Sequence, residues 1–354
     1  MKEINLEFLE CFLNTPSPSG FELPAQKLFA EYVRPYTDTI EVDVHGNLIA
    51  GRNISGKPRL MLAAHGDEIG LIINYINDDG FLYFSPIGGV SPTRLEGMRV
   101  MVHGQEGAVP GVIARKLLAQ RMENSQDKPA RFQDLWIDIG ARSRQEAEKV
   151  VNIGDPVTLA VNFQKLRNNL AVARGFDDRL GVFVLAESLR FLQGNEIKTA
   201  LFAVSTVQEE VGSRGVWSVA YRLQPELALV VEVETATDFP EADKRMAGDI
   251  RLGKGVGFNR GSNINMRLNE FLMKVADEEG IPWHLTAVAG PTPTDASVIQ
   301  TIREGVPCCL VRIPLRYMHT PSEIVSLDDV TSAVRLLVAF ISRLDGSLKF
   351  SPEI

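Results

Sequence analysis

The sequence predicts an α/β protein in which a mainly parallel sheet is flanked by helices, with a small β-barrel or β-sandwich domain inserted. The chain has 354 residues, which is more than one compact domain usually contains. Helical and strand patterns alternate near both ends, whereas the middle carries only short β-like runs. We therefore expect an outer domain of residues 1–69 and 167–354 and an inserted domain of residues 70–166.

The N-terminal segment shows the first helix and strand patterns of the outer domain. Its opening residues, MKEINLEFLECFL, combine apolar positions with acidic ones and predict an amphipathic helix. A second helix is predicted from Glu22 to Val33, followed by a hairpin around His45 and Gly46. The continuously apolar run from Leu60 to Ala64 is typical of a buried parallel strand.

The middle of the chain predicts the inserted β domain. Short β-like runs separated by Gly, Pro and Asp-Gly turns are typical of a small barrel or sandwich. The runs are LIINYI, FLYFSPI, RVMVHG, GAVPGVIA, DLWIDIG and DPVTLAV. One helix, from Ser143 to Val151, interrupts them.

After residue 166 the alternation of helices and strands returns, which implies a mainly parallel sheet covered by helices. The predicted elements are helix Arg179–Phe191, strand Ala200–Thr206, helix Gly215–Arg222, strand Leu227–Val233, helix Asn265–Glu279, strand His284–Ala287, helix Asp295–Arg303, strand Cys308–Ile313 and helix Leu327–Leu344.

Composition narrows the possible partners and the cellular compartment. The net charge of −8 and the lack of a basic run argue against nucleic acid as a partner. No apolar stretch approaches the roughly 20 residues that a membrane span needs, and the N-terminus does not resemble a signal peptide. The three cysteines, Cys11, Cys308 and Cys309, do not form a disulfide pattern. We therefore expect a cytoplasmic protein in a reducing compartment.

Side chains that can bind metal or transfer protons follow the predicted strands. In open α/β sheets, ligands bind beyond the carboxyl ends of the strands. The residues at these positions are His65 and Asp67 in AHGDE, Glu209 and Glu210 in QEEVGSRG, Glu232 near the end of LALVVEVE, His319 in RYMHTPSE, and Asp177 and Asp178 at the start of a helix in GFDDRLG. So many metal-type residues at one sheet edge predict a metal site.

The residue types indicate which chemistry this site performs. Imidazole and carboxylate ligands suit zinc, and also cobalt or manganese. Two cations need about five or six ligands, with one carboxylate shared, and a further carboxylate must accept a proton from water. The adjacent acids Glu209 and Glu210 can divide these tasks, although acid pairs are also common at solvated helix starts. The other histidines, His45, His103 and His284, are not accompanied by acidic residues after a strand and are interpreted as structural.

The order of these motifs resembles the tetrahedral (TET-type) dinuclear metalloaminopeptidases, which include glutamyl and deblocking aminopeptidases. The motifs are AHGDE, AVARGFDDRLG, QEEVGSRG, a carboxylate before DFP, and RYMHTPSE, with DIGARSRQEAEKVVNIGDPVTL and GVGFNRGSNIN between them. The resemblance spans nearly the whole chain. It implies a zinc-exopeptidase-like catalytic domain, and an inserted β domain used for dimerisation. It also implies a homo-oligomer of twelve subunits built from dimers.

The resemblance also implies a role for each candidate residue. One divalent metal ion would be held by His65, Asp177 and Glu232. The other would be held by Asp177, Glu210 and His319, so that Asp177 bridges the pair. Glu209 would be the general base, and Asp67 would orient His65. Asp177 is chosen over Asp178 because it begins the D-x-(K/R)-x-G pattern of related enzymes.

Two departures from the family bear on the substrate. Glu232 stands where aspartate is usual, and Pro291-Thr-Pro-Thr294-Asp295 replaces Gly-Gly-Thr-Asp. The favoured function is an aminopeptidase that hydrolyses N-terminal residues from short peptides. The alternatives are an N-acyl amino acid deacylase or a carboxypeptidase with the same mechanism, a glycosidase using paired carboxylates, and a non-catalytic assembly protein.

Overall fold

A computed structural model of the protein describes residues 3–115 and 129–351. Its helices are α1 (Leu6–Asn14), α2 (Leu23–Val33), α3 (Arg144–Ala147), α4 (Phe176–Phe191), α5 (Arg214–Leu223), α6 (Lys244–Ala247), α7 (Met266–Glu278), α8 (Asp295–Ile299) and α9 (Leu327–Arg343), with 3₁₀ turns at Arg34–Tyr36, Pro92–Arg94 and Phe132–Asp134. Within these residues, no helix has both the length and the apolar character needed to cross a membrane.

The larger sheet has parallel strands at its centre and antiparallel strands towards its edges. Its strands are β1 (Thr39–Val42), β2 (Leu48–Arg52), β3 (Arg59–His65), β10 (Gln164–Lys165), β11 (Leu170–Ala173), β12 (Ala200–Thr206), β13 (Leu227–Thr235), β14 (Val256–Gly261), β15 (Trp283–Val288), β16 (Cys308–Arg316) and β17 (Glu323–Ser326). The order is β1-β2-β12-β3-β13-β16-β17-β11-β10. In addition, β14 pairs with β16, and β15 pairs with β14. Strands β12, β3, β13 and β16 run parallel.

The second sheet closes into a barrel, so the structure selects the barrel from the two predicted alternatives. Its strands are β4 (Gly70–Ile76), β5 (Leu82–Ile87), β6 (Arg99–Gly104), β7 (Gly107–Arg115), β8 (Leu135–Asp138) and β9 (Pro156–Leu159), in the order β4-β5-β8-β7-β6-β9. The barrel encloses its own apolar core, in which residues such as Leu82, Val102 and Ile137 are fully buried.

The parallel strands are buried because helices cover them. All seven residues of β12 are buried, as are the last six of β3. Helix α4 packs against β3 and β13, while α8 contacts β13 and β16. This is the environment that continuous apolar runs indicate, and it confirms the predicted α/β architecture.

Some elements differ from the sequence prediction. Helix α8 ends at Ile299 and not at Arg303, and the positive φ of 56° at Arg303 excludes that residue from a right-handed helix. Helix α3 is likewise shorter than Ser143–Val151. Strands β14 and β17 were not predicted; β14 pairs with β15 and β16, and β17 pairs with β11 and β16.

Candidate active site

The carboxyl ends of the central strands bring the metal-type side chains together. His65 is the last residue of β3 and pairs in register with Thr206, the last residue of β12. Glu209 and Glu210 follow Thr206 in the next turn. Because these strands are parallel, their ends meet at the same edge of the sheet, as expected for a ligand site in an α/β fold.

Asp177 lies at the centre of the cluster, between the two histidines. Its Oδ1 is 3.3 Å from Nε2 of His65, and its Oδ2 is 3.1 Å from Nε2 of His319. Asp177 and Asp178 have non-helical dihedral angles, so the regular part of α4 begins at Arg179, where the sequence predicts it. This extended start directs one carboxylate towards two imidazoles, which is the arrangement that a bridging ligand needs.

The remaining candidate acids surround the same two imidazoles. Oε2 of Glu210 is 3.5 Å from Nε2 of His319. Oε1 of Glu232 and Oε2 of Glu209 are each 3.9 Å from Nε2 of His65. The structure therefore gathers all the predicted site residues into one cluster.

Asp67 is fully buried and links three parts of the cluster. Its Oδ1 is 3.4 Å from Nδ1 of His65 and accepts a hydrogen bond from the backbone N–H of Glu209 at 3.0 Å. Its Oδ2 accepts from the backbone N–H of Glu210 at 3.2 Å and from the Ser19 hydroxyl at 2.6 Å. One carboxylate thus fixes the ring of His65 and the turn that carries both glutamates.

Glu323 plays a comparable part on the opposite side, and the sequence analysis did not single it out. It is buried at the start of β17, where Oε2 accepts from the backbone N–H of Asp177 at 3.1 Å. Its Oε1 accepts from the backbone N–H of His319 at 3.0 Å. The last residue of the motif RYMHTPSE was the available signal, but its partner Asp177 is distant in sequence.

A buried arginine anchors the segment that precedes Asp177. Arg179 is fully buried and donates to the carbonyl groups of Leu13 and Gly175, at 2.8 Å and 3.3 Å. It also donates to Oε2 of Glu68 at 3.2 Å. These bonds join the end of α1, the start of α4 and the loop after β3. They explain how both aspartates can occupy an irregular backbone at a fixed position.

Burial and mutual charge shift the pKa values of the clustered groups. Burial raises the pKa of Glu210 to about 10, and the charge of Asp177 adds to this effect. Burial also raises the pKa of Glu209, and raises that of Glu232 well above its usual range. Burial would lower the pKa of His65, but its hydrogen bonds with Asp177 and Asp67 outweigh that effect and raise it.

The opposite shift occurs at the central carboxylate. Burial alone would raise the pKa of Asp177, but its hydrogen bonds with His319 and His65 outweigh this and lower it. The cluster therefore concentrates several carboxyl groups around two imidazoles, with more negative charge than these rings can balance. Such a buried acidic cluster requires either protonation or bound cations.

The donor set fits divalent metal ions. Oε1 of Glu210 and Oδ2 of Asp178 are buried without a hydrogen-bond partner among the described residues. His65, Asp177 and Glu210 offer atoms within 4.8 Å of one another, and so do His65, Asp178 and Glu232. Imidazole nitrogen combined with carboxylate oxygen is a ligand set that zinc, cobalt and manganese accept.

Asp178 is close enough to be an alternative ligand, but its own contacts differ from those of Asp177. Its Oδ1 accepts from the backbone N–H of Gly181 at 3.1 Å, within the first turn of α4. Burial and the charge of Glu232 raise its pKa well above the usual range. Asp177, by contrast, lies within ion-pair distance of both His65 and His319.

A cavity of about 470 Å³ opens onto the cluster. The segment from Pro291 to Thr294 forms part of its wall, so the loop that departs from the family pattern does line this cavity. The barrel also approaches the cluster, because a β-carbon at Gly89 would lie 2.6 Å from Nδ1 of His319. The cavity is large enough for the end of a short peptide.

Comparison with known proteins defines the class. The model of the M42 glutamyl aminopeptidase family matches residues 46–336. The chain is 32% identical to the lysyl aminopeptidase of Pyrococcus furiosus over 99% of this chain and 100% of that protein. The TET aminopeptidase of a marine sediment archaeon, Thaumarchaeota archaeon SCGC AB-539-E09, is 36% identical, covers 96% of both chains and has a TM-score of 0.92.

A third comparison concerns an assembled relative. The structure described as the PhTET1-12s dodecamer is 30% identical, with a TM-score of 0.85, and the match covers 96% of this chain and 99% of that one. The fold, the clustered metal-type ligands and these matches define a metallo-aminopeptidase. The chain belongs to the M42 glutamyl aminopeptidase family, which confirms the resemblance and the aminopeptidase function predicted from sequence.

Proposed function

We propose that this chain removes N-terminal residues from short peptides by using a pair of divalent cations held at the sheet edge. His65, Asp177 and Glu232 would hold one cation, and Asp177, Glu210 and His319 the other. The observation that carries this assignment is the position of Asp177, whose two oxygens face two different histidines at 3.3 Å and 3.1 Å. Zinc is the favoured metal, with cobalt and manganese as alternatives.

When bound, such a pair lowers the pKa of a water molecule and polarises the scissile carbonyl group. Glu209 accepts the proton of the attacking water on Oε2, the oxygen that faces His65 at 3.9 Å. As the C–N bond breaks, Glu209 returns this proton to the nitrogen of the leaving amine. The Ser213 hydroxyl donates to Oε1 of Glu209 at 3.2 Å and leaves Oε2 to perform the transfer.

Asp67 and Glu323 act by orientation and not by contact with substrate. Asp67 holds the ring of His65 and the backbone of Glu209, and therefore sets the distance between a ligand and the base. Glu323 holds the backbones of Asp177 and His319 in the same way. Both carboxylates are buried, so their hydrogen bonds compete little with water.

The division of labour between the two parts of the chain is a further proposal. Residues 1–69 and 167–354 form the catalytic domain, and residues 70–166 form the domain used for dimerisation and assembly. We propose a homo-oligomer built from dimers, with twelve subunits as in the PhTET1-12s dodecamer. We also propose a cytoplasmic location, because Cys308 and Cys309 are buried free thiols that suit a reducing compartment.

A matched substrate panel tests the proposed reaction. The metal-loaded protein is assayed with an aminoacyl substrate, its N-acetyl counterpart, and a peptide whose C-terminus alone is free. We expect hydrolysis of the aminoacyl substrate and its reversible loss on chelation. Exclusive hydrolysis of the N-acetyl substrate would replace the aminopeptidase proposal with the deacylase alternative, and exclusive release of C-terminal residues would replace it with the carboxypeptidase alternative.

A further inference from the structure

Arg312 lies in the wall of the cavity, close to the proposed metal ligands. It is the one lysine or arginine among the described residues that line this cavity. Arg312 on β16 pairs in register with Glu232 on β13, and adjacent strands are about 4.8 Å apart. Side chains in register on neighbouring strands point to the same face, so Arg312 is directed to the face that carries Glu232.

The register continues across two further strands. Gly257 on β14 pairs with Arg312 on one side and with His284 on β15 on the other. Arg312, Gly257 and His284 thus form a row of paired residues. The side chain of Glu234, which is two residues after Glu232 and therefore on the same face, lies across this row. It fills the space that a side chain at position 257 would occupy, since a β-carbon there would lie 1.9 Å from Oε1 of Glu234.

Glu234 is buried and connects the two ends of the row. Its Oε1 is 2.5 Å from Nε2 of His284, and its Oε2 is 3.5 Å from Nη1 of Arg312. The side chain of Glu234 is 1% exposed, whereas that of Arg312 is 21% exposed. Arg312 therefore lines the cavity, whereas Glu234 lies behind it and does not.

The guanidinium group is weakly satisfied by these contacts. Its hydrogen bond to the carbonyl oxygen of Val233 is 3.4 Å long, and its closest approach to Glu234 is 3.5 Å. Nε of Arg312 is buried without a hydrogen-bond partner within the described part of the chain. Because Nε is buried, the two terminal nitrogens of the guanidinium group are the donors left for a ligand in the cavity, and their long contacts leave them free hydrogen-bonding capacity, which an acceptor with two oxygens can use.

We propose that Arg312 is a specificity residue that recognises a carboxylate of the peptide substrate. Val288, Pro291 and Pro293 also line this cavity and carry no charge, whereas the carboxylates in its wall, Glu232 among them, are the proposed metal ligands and base. A carboxylate can accept two parallel hydrogen bonds from the guanidinium group, the strongest mode available to it. Glu234 and His284 act as positioning residues that hold the guanidinium group at the wall.

The recognised carboxylate can come from two places in a peptide. It is either the side chain of an N-terminal aspartate or glutamate, or the free C-terminus of a very short peptide. This inference rests on the proposed function and adds the class of substrate. The two sources are separated by substrates that differ in only one of these groups.

The test compares glutamyl with glutaminyl anilide for the side chain, and Leu-Leu with its C-terminal amide for the terminus. In the metal-loaded wild type, one of these carboxylate substrates should be preferred by about 10- to 100-fold in kcat/KM, mainly through KM, as expected for hydrogen bonds to a charged group. Arg312→Met should reduce that ratio to near one. Arg312→Lys keeps a positive charge beside Glu234 but loses the planar guanidinium group. This variant should retain part of the carboxylate preference.

Arg260→Met is the matched control, because Arg260 lies on the neighbouring strand β14, is exposed and does not line the cavity. It should leave both ratios at their wild-type values. Gly257→Ala should lower the preference without altering Arg312 itself, because the added methyl group displaces Glu234. Thermal melting and metal content establish that each variant is folded and loaded.

The inference is overturned if both ratios are near one in the wild type, or if Arg312→Met changes neither ratio more than Arg260→Met does. Hydrolysis of leucyl anilide without any carboxylate preference would overturn this inference alone and leave the proposed function intact. If no aminoacyl substrate is hydrolysed, the proposed function fails. In that case, calorimetry compares the affinity for the α-amide of glutamate with that for the α-amide of glutamine, and the affinity for Leu-Leu with that for its amide. These comparisons decide whether Arg312 binds a carboxylate.

Discussion

Glu209 and Glu210 are adjacent in the chain, yet their carboxylates have different neighbours. Oε1 of Glu209 accepts from the Ser213 hydroxyl at 3.2 Å, whereas Oε2 of Glu210 is 3.5 Å from Nε2 of His319. Their backbone N–H groups are both held by Asp67. These different neighbours support the proposal that Glu210 would be a metal ligand and Glu209 the base.

Amide substitutions should separate these two roles. Glu209→Gln should retain both metal ions but lose on the order of 10²- to 10⁴-fold in kcat, the usual contribution of general acid–base catalysis. Glu210→Gln should lose metal, because an amide is a weaker ligand than a carboxylate. Metal analysis and kcat are measured on the same samples. Loss of metal from Glu209→Gln, with retention by Glu210→Gln, would reverse the two assignments.

Glu232 is one of the two positions at which the sequence was predicted to depart from the family pattern. Its Oε1 accepts from the backbone N–H of Val233 at 3.0 Å and faces His65 at 3.9 Å. Glu232→Asp should retain both metal ions and raise the ratio of aminoacyl to N-acetyl hydrolysis by a factor of about ten, the usual order for one methylene in a site. The measurement is kcat/KM on a matched substrate pair. A ratio of aminoacyl to N-acetyl hydrolysis that stays at its wild-type value would contradict this prediction.

At the scale of elements, β17 connects the two halves of the metal cluster. Its first residue, Glu323, accepts hydrogen bonds from the backbones of Asp177 and His319. Glu323→Gln keeps the shape but offers one acceptor oxygen and one NH₂ group, which would face a backbone N–H. Metal affinity should fall by about 10- to 100-fold, as expected for groups that orient ligands.

Calorimetric titration of the metal-free protein measures this effect. Glu304→Gln is the matched control, since Glu304 is exposed in the loop after α8 and should leave the affinity unchanged. An affinity for Glu323→Gln equal to that of the control would show that β17 does not position the ligands.

The strands that carry the site were predictable from sequence, but the contacts between distant elements were not. The buried runs of β3 and β12 are continuously apolar, and polar residues after them were therefore expected at one sheet edge. By contrast, His284 has no acidic neighbour in sequence, because its partner Glu234 comes from another strand. The role of Glu323 was not predicted either, because its hydrogen bonds go to backbone groups and leave no pattern of residue types.

At the scale of the whole molecule, the barrel and the larger sheet meet at the active site. Gly88 and Gly89 follow β5 and lie so close to the cluster that a β-carbon at Gly88 would be 3.2 Å from Cβ of Glu210. Gly88 also has a positive φ of 71°, which favours glycine. The segment after β5 therefore has no room for a side chain beside a proposed metal ligand.

The proposed assembly is tested by sedimentation. We expect the metal-loaded protein to sediment as a homo-oligomer of twelve subunits at micromolar concentration, with smaller species limited to dimers. This expectation follows from the proposed assembly, and the inserted domain exposes apolar side chains such as Tyr75, Val112 and Ile153 that subunit contacts would cover. A stable monomer that is fully active at this concentration would refute the assembly proposal.

Metal stoichiometry gives the sharpest test of the proposal that Asp177 would be shared by two divalent cations. Calorimetric titration of the chelated protein should show two ions per chain. His65→Ala and His319→Ala should each weaken a different site, and activity should return only when both sites are filled. Binding of a single ion per chain, or full activity in protein shown to be free of metal, would contradict this account.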